Sequence, residues 1–163
     1  MAKGQPFMCS FLVRRHRLRP RHKSSPHDSS TDPEPRKILV VDDEPVIRET
    51  LLEALTTVGY RVEAVTDGRQ ALERLRDSAY DILLVDVRMP KLDGEEFYHI
   101  LTQRAPEVAS RILFMTGDTS SEDTHRFLAR TGRPFLAKPF DLDELHDAVN
   151  SAFTIDSDGG ATQ

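Results

Sequence analysis

One cysteine, Cys9, is all the thiol this chain of 163 residues contains. That excludes an intramolecular disulfide and a thiolate metal cluster, and it fits a reducing compartment. Long hydrophobic runs are also missing: the aliphatic stretches at 38–41 and 82–85 are far short of the roughly 18 residues that cross a bilayer. A soluble, cytoplasmic protein without a membrane span is the expectation. Acids are absent before Asp28. The early "FMCSFLV" precedes "RRHRLRPRHK", so its charge lies on the wrong side for a secretory signal, and no small-residue cleavage site follows. A transit peptide, or an arm that touches nucleic acid or membrane, stays open beside the plainer reading of an unstructured extension.

What is present divides unevenly. The net charge is −5, but residues 1–35 hold seven Lys/Arg against three acids, a surplus of +4 that leaves −9 for the rest. Between residues 14 and 35 the chain is rich in Arg, His, Ser and Pro and follows no hydrophobic period, too little apolar surface to offset the entropy of ordering. Three segments are expected: a disordered basic arm at 1–35, one globular domain at 36–153 and a frayed tail at 154–163. With 38% hydrophobic and 30% charged residues, a single core is all the length supports.

From 36 to 153, aliphatic runs at 38–41, 61–65, 81–85, 111–115 and 134–137 alternate with stretches of helical period. Five strand–helix units result. Gly59 and Gly132 stand where helices should stop, and Pro45 falls in a first turn. Thr119 with Glu122, and Asp141 with Glu144, have capping-box spacing. Runs that are apolar throughout imply strands buried on both faces, hence a parallel sheet between layers of helices. The fold class expected is α/β, a doubly wound (βα)5 sheet of flavodoxin-like order 2-1-3-4-5, with its ligand site beyond the carboxyl ends of strands 1 and 3.

Those ends carry Asp42 and Asp43 after strand 1, Asp86 after strand 3, Thr116 and Gly117 after strand 4, and Lys138 before Pro139 after strand 5. Singly, each has a plain reading: an aspartate past a strand often caps the next helix, a threonine can finish a strand, and a lysine can be solvated. Their joint placement at one edge is what those readings leave unexplained. Two carboxylates about 4 Å apart repel by roughly 4 kcal/mol at an effective dielectric of 20, against a whole-domain stability of about 5 to 15 kcal/mol. One lysine is too little compensation for three acids. A hard divalent cation is the natural solution, and so few protein oxygens suit Mg²⁺ better than Ca²⁺.

The motifs "ILVVDDEP", "DILLVDVRMPKLDG", "ILFMTGD" and "RPFLAKPFDLDEL" together resemble the receiver domain of two-component response regulators, over residues 36–153. The resemblance implies that Asp86 is the phosphoacceptor and that Asp43 and Asp86 ligate Mg²⁺. Asp42 would assist indirectly, and the backbone carbonyl of Arg88 would be a further ligand. Thr116 would bond the phosphoryl group, the backbone N–H of Gly117 would lie beside it, and Lys138 would pair with it through a cis bond to Pro139. Phe135 occupies the place of the family's switch aromatic, often tyrosine; without a hydroxyl it can also be read as core or as a cover for strand 5.

The resemblance also implies a signalling domain, not an enzyme, which catalyses only its own phosphorylation and dephosphorylation. The phosphoryl donor would be a sensor histidine kinase or a histidine phosphotransfer protein. A face built from the fourth helix, fifth strand and fifth helix would switch and control an unknown downstream protein. The fourth helix is the weakest amphipath, plainly apolar only at Phe127 and Leu128, and is expected to be the moving part. Ten residues after Phe153 cannot form a DNA-binding output domain, so none is expected. Alternatives are a receiver segment of a hybrid histidine kinase, a phosphate sink and, more remotely, an aspartyl-phosphate-forming phosphatase of the haloacid-dehalogenase type. That last class places its nucleophile in a D-x-D pattern at strand 1, whereas the strand 1 acids here are adjacent.

Overall fold

A computed structural model describes residues 34–158. The basic arm expected at 1–35 lies outside the described residues except for its last two, as does the end of the tail. Elements run β1 (Lys37–Val41), α1 (Pro45–Val58), β2 (Arg61–Val65), α2 (Gly68–Asp77), β3 (Ile82–Asp86), α3 (Gly94–Arg104), α4 (Pro106–Ala109), β4 (Ile112–Thr116), α5 (Glu122–Thr131), β5 (Phe135–Ala137) and α6 (Leu142–Asp158). The strands form one parallel sheet in the order β2-β1-β3-β4-β5, the order expected from the sequence.

Alternate side chains of each central strand feed opposite layers, as a pleat requires. Leu39, Val41, Leu83, Val85 and Phe114 pack with Ala71, Leu75, Phe97, Leu101 and Phe127 of α2, α3 and α5. Ile38, Val40, Ile82, Leu84, Leu113 and Met115 pack with Leu51, Leu55, Leu145 and Val149 of α1 and α6. The edge strands depart from burial on both faces. In β5 only Leu136 is buried, and β2 is half-buried over most of its length, because each has a neighbour on one side only.

Register sets the level of the site. Val41 pairs with Val85, so Asp42 and Asp86, each one residue on, come level with one another. Asp86 pairs with Met115 and Thr116 with Ala137, which brings Lys138 to the same edge.

Helix signals hold with two exceptions. Pro45 opens α1, and Gly59 closes it at φ 106°, its N–H donating to the carbonyls of Leu55 and Thr56. Gly132 ends α5 at φ 60°. Asp141 and Glu144 form the reciprocal capping box, at 3.0 and 2.8 Å. The Thr119–Glu122 box does not form. Asp118 folds the loop back by accepting from the Ser121 N–H, which makes Ser121 the cap of α5 and its hydroxyl the acceptor for the Thr124 N–H. The third helical stretch breaks at Ala105, because a residue before proline is driven out of the helical region; Pro106 then starts the extra turn α4. The fourth and fifth helices of the sequence are therefore α5 and α6. The tail departs from expectation as well: α6 runs on through Asp158, since nothing breaks the helix before Gly159.

Candidate functional site

β1 ends in a buried aspartate because its last peptide is pinned on both sides. The Asp42 N–H donates to the Val65 carbonyl, and the Arg48 guanidinium of α1 donates to the Asp42 carbonyl at 2.8 Å. Its side chain is fully buried and accepts the Glu44 N–H at 2.8 Å. Asp43, the next residue on, alternates outward and is exposed. Asp86 closes β3 with 5% of its surface accessible. Carboxylate oxygens of Asp42, Asp43 and Asp86 lie within 4.8 Å of one another.

Lys138 Nζ enters the same cluster from β5, 2.7 Å from Asp42, 3.4 Å from Asp86 and 3.4 Å from Glu44. Its peptide bond to Pro139 is cis, and its N–H donates to the Thr116 carbonyl at 2.7 Å. Burial alone would pull the lysine pKa down, but the Asp42 hydrogen bond and the charges of Asp86, Asp42 and Glu44 raise it above its ordinary value. Asp86 titrates at about 6, pushed up first by burial and further by the charges of Asp42 and Asp43, with Lys138 pulling the other way. Asp43 has no salt-bridge partner among the described residues. The cluster therefore holds more negative charge than its one lysine offsets, and three hard oxygen donors face one small volume. That donor set fits a divalent cation of the Mg²⁺ type.

Around this centre, Thr116 is buried and its hydroxyl accepts the Asp118 N–H at 3.1 Å. Gly117 is exposed, and an added Cβ would meet nothing closer than Lys138 Cβ at 3.9 Å, so space remains beside it. The Arg88 side chain leaves the β3–α3 loop for α5, donating to the Thr124 hydroxyl at 3.2 Å and lying 4.0 Å from Asp118. Phe135 is 46% exposed, which rules out a core-filling role and leaves it standing outward on the edge strand.

Three supporting residues were not singled out from the sequence. Glu44, the third of three consecutive acids, shares Lys138. Gly94, in "KLDG", starts α3 directly beneath the phosphoacceptor candidate: a Cβ there would fall 2.6 Å from the Asp86 carbonyl oxygen. Asp67 is buried, caps α2, and holds Lys91 at 2.9 Å, tying the β2–α2 loop to the β3–α3 loop. Glu44 lies within "ILVVDDEP" and Gly94 within "DILLVDVRMPKLDG", and the available signals were a third consecutive acid and a glycine before a helix; Asp67 lies in neither stretch.

The family model of the response regulator receiver domain matches residues 38–150. This chain belongs to the receiver family. Over 111 residues the receiver is 38% identical to Response regulator MprA of Mycolicibacterium vanbaalenii, covering 68% of this chain and 47% of MprA. The chemotaxis protein CheY4 of Vibrio cholerae matches its fold with a TM-score of 0.66 at 30% identity, over 72% of this chain and 98% of CheY4. The response regulator TrrA of Thermotoga maritima, solved in complex with Mg²⁺–BeF, matches with a TM-score of 0.63 at 29% identity, over 72% of this chain and 98% of TrrA. The receiver chain spans about half the length, or less, of the curated relatives it matches. Among the described residues no helix is long and apolar enough to cross a membrane.

Proposed function

We propose that this receiver takes a phosphoryl group from a phosphohistidine onto Asp86 and passes the change to a partner through the face formed by α5, β5 and α6. One observation carries the reading: Asp42, Asp43 and Asp86 converge within 4.8 Å beside Lys138. A carboxylate oxygen of Asp86 forms the new P–O bond as the P–N bond of the donor breaks, and the leaving imidazole keeps the bonding electron pair and takes up a proton. Positioning and charge neutralisation supply most of the acceleration in such a transfer. The donor is a sensor histidine kinase or a histidine phosphotransfer protein, and the chain's own catalysis is confined to its phosphorylation and dephosphorylation. A cytoplasmic location follows from such a donor.

Asp43 and Asp86 would hold Mg²⁺ directly, with the Arg88 carbonyl as a further ligand and Asp42 acting indirectly; that a related receiver was solved with Mg²⁺–BeF supports the choice of ion. Bound there, the ion supplies positive charge against the acids and the incoming phosphoryl oxygens. Lys138, now shared between Asp42 and Asp86, would turn its ammonium to pair with the phosphoryl group. The Thr116 hydroxyl turns from the Asp118 N–H to donate to the same group, and the Gly117 N–H lies next to it. Phe135, already outward, is free to repack when Thr116 moves.

Incubating the protein with Mg²⁺ and a small acyl phosphate, then measuring intact mass, tests this. A single added phosphoryl group that is lost in Asp86→Asn is expected. Steady turnover of the acyl phosphate with no protein adduct would mean a hydrolase instead.

A further inference from the structure

A groove of about 380 Å³ runs between α1 and α6, lined by Thr50, Ala54, Val58, Leu142 and His146 among others. It has two unmet demands. The first is electrostatic. Glu49 and Glu53 on α1 and Asp143 and Asp147 on α6 are exposed and have no cationic partner among the described residues. α6 contains no Lys or Arg at all, and Arg48, the only cation on α1, is committed to the Asp42 carbonyl. The second is local: His146 Nε2, at the groove wall, is buried without a hydrogen-bond partner among the described residues. Val58 and Leu142, each about half exposed, add apolar surface at its rim.

We propose that residues 14–23 of this same chain, "RRHRLRPRHK", dock in the α1–α6 groove. The segment holds six Lys/Arg and no acid, the charge the groove lacks. The other stretch outside the described residues, 159–163, has no charged side chain and offers nothing to these acids. The path is short. Arg36, where the arm joins the domain, lies with its guanidinium 4.0 Å over the Phe153 ring, so the arm leaves the domain against α6, the helix that forms one wall of the groove. From Phe153 up α6 to Leu142 is about 16 Å at 1.5 Å per residue, while residues 24–35 extend to about 40 Å. The proposal does not depend on phosphoryl chemistry at Asp86.

Cys9, the only cysteine, lies just before the segment, so a nitroxide attached to it reports the arm's position in the full-length chain without any substitution. At about 0.01 M salt, where screening extends over about 30 Å, loss of amide NMR intensity should concentrate at residues 50–58 and 142–149. At about 1 M salt, with screening at about 3 Å, the signals should recover. Glu49→Lys with Glu53→Lys should abolish the loss, and adding Arg15→Glu with Arg17→Glu should restore it. Loss spread evenly over the domain, or centred on another face, overturns the proposal. So does loss that appears only when a labelled chain is mixed with an unlabelled, isotopically enriched one, since the arm then docks on a second copy.

Discussion

Asp86 pairs a buried position with a pKa near 6, and this has a consequence before any phosphoryl group arrives. The folded protein retains a proton that the unfolded chain releases between about pH 4 and 6, so metal-free stability falls as pH rises through that window and stays low above it. Asp86→Asn removes the charge while keeping the shape. In magnesium-free buffer at pH 7 it should raise Tm by about 5 °C, the shift that about 1 kcal/mol gives a domain of this size, and it should flatten the pH dependence; thermal unfolding across pH checks both. Gly94 acts sterically. A methyl group at that position would press within 2.6 Å of the Asp86 carbonyl, so Gly94→Ala should cost about 1 to 3 kcal/mol in denaturant unfolding and weaken phosphorylation by displacing the acceptor.

Among the elements, α5 is held to the sheet by only a few side chains. It buries Thr124, Phe127 and Leu128, while most of the helix carries exposed acids and arginines. A cavity of about 630 Å³ opens between it and the β3–α3 loop, lined by Val87, Arg88 and Phe127. The aromatic edge contact of Phe127 with Phe114, at 5.1 Å, and the Arg88–Thr124 hydrogen bond hold it in place. Segments with few buried contacts open at low cost. Amide exchange with and without a phosphoryl mimic should therefore differ most over residues 116–131, and uniform protection there would remove α5 as the moving part. Thr116→Ala should leave phosphorylation detectable by mass while reducing that difference, because it deletes the hydroxyl that links the acceptor pocket to the β4–α5 loop.

For the whole molecule, metal binding and stability are one equilibrium. A cation that binds only the folded state at 100 times its Kd stabilises it by about 2.7 kcal/mol. Mg²⁺ should raise Tm in the wild type and leave Asp43→Ala unchanged, read by thermal unfolding in matched ionic strength. The alternation of short apolar runs with helical periods was enough to give the five parallel strands, because strand burial and helix caps are local or short-range properties; their order, and with it the edge at which the acids gather, followed from its being the commonest of the few that right-handed crossovers leave. Gly94, Glu44 and the Asp67–Lys91 tie were harder to see, since each acts on a residue from another part of the chain. The same limit explains Thr119, whose spacing suited a cap that Asp118 gave to Ser121 by folding the loop, and β5, which reads as apolar yet is half open because it lies at the sheet edge. By itself, the sequence determined which residues reach the carboxyl edge and which chemistry they can support. Only the tertiary structure decided that Lys138 rests on Asp42 more closely than on Asp86, that Asp43 faces solvent and that Phe135 stands outward, because such distances arise from packing between elements far apart in the chain.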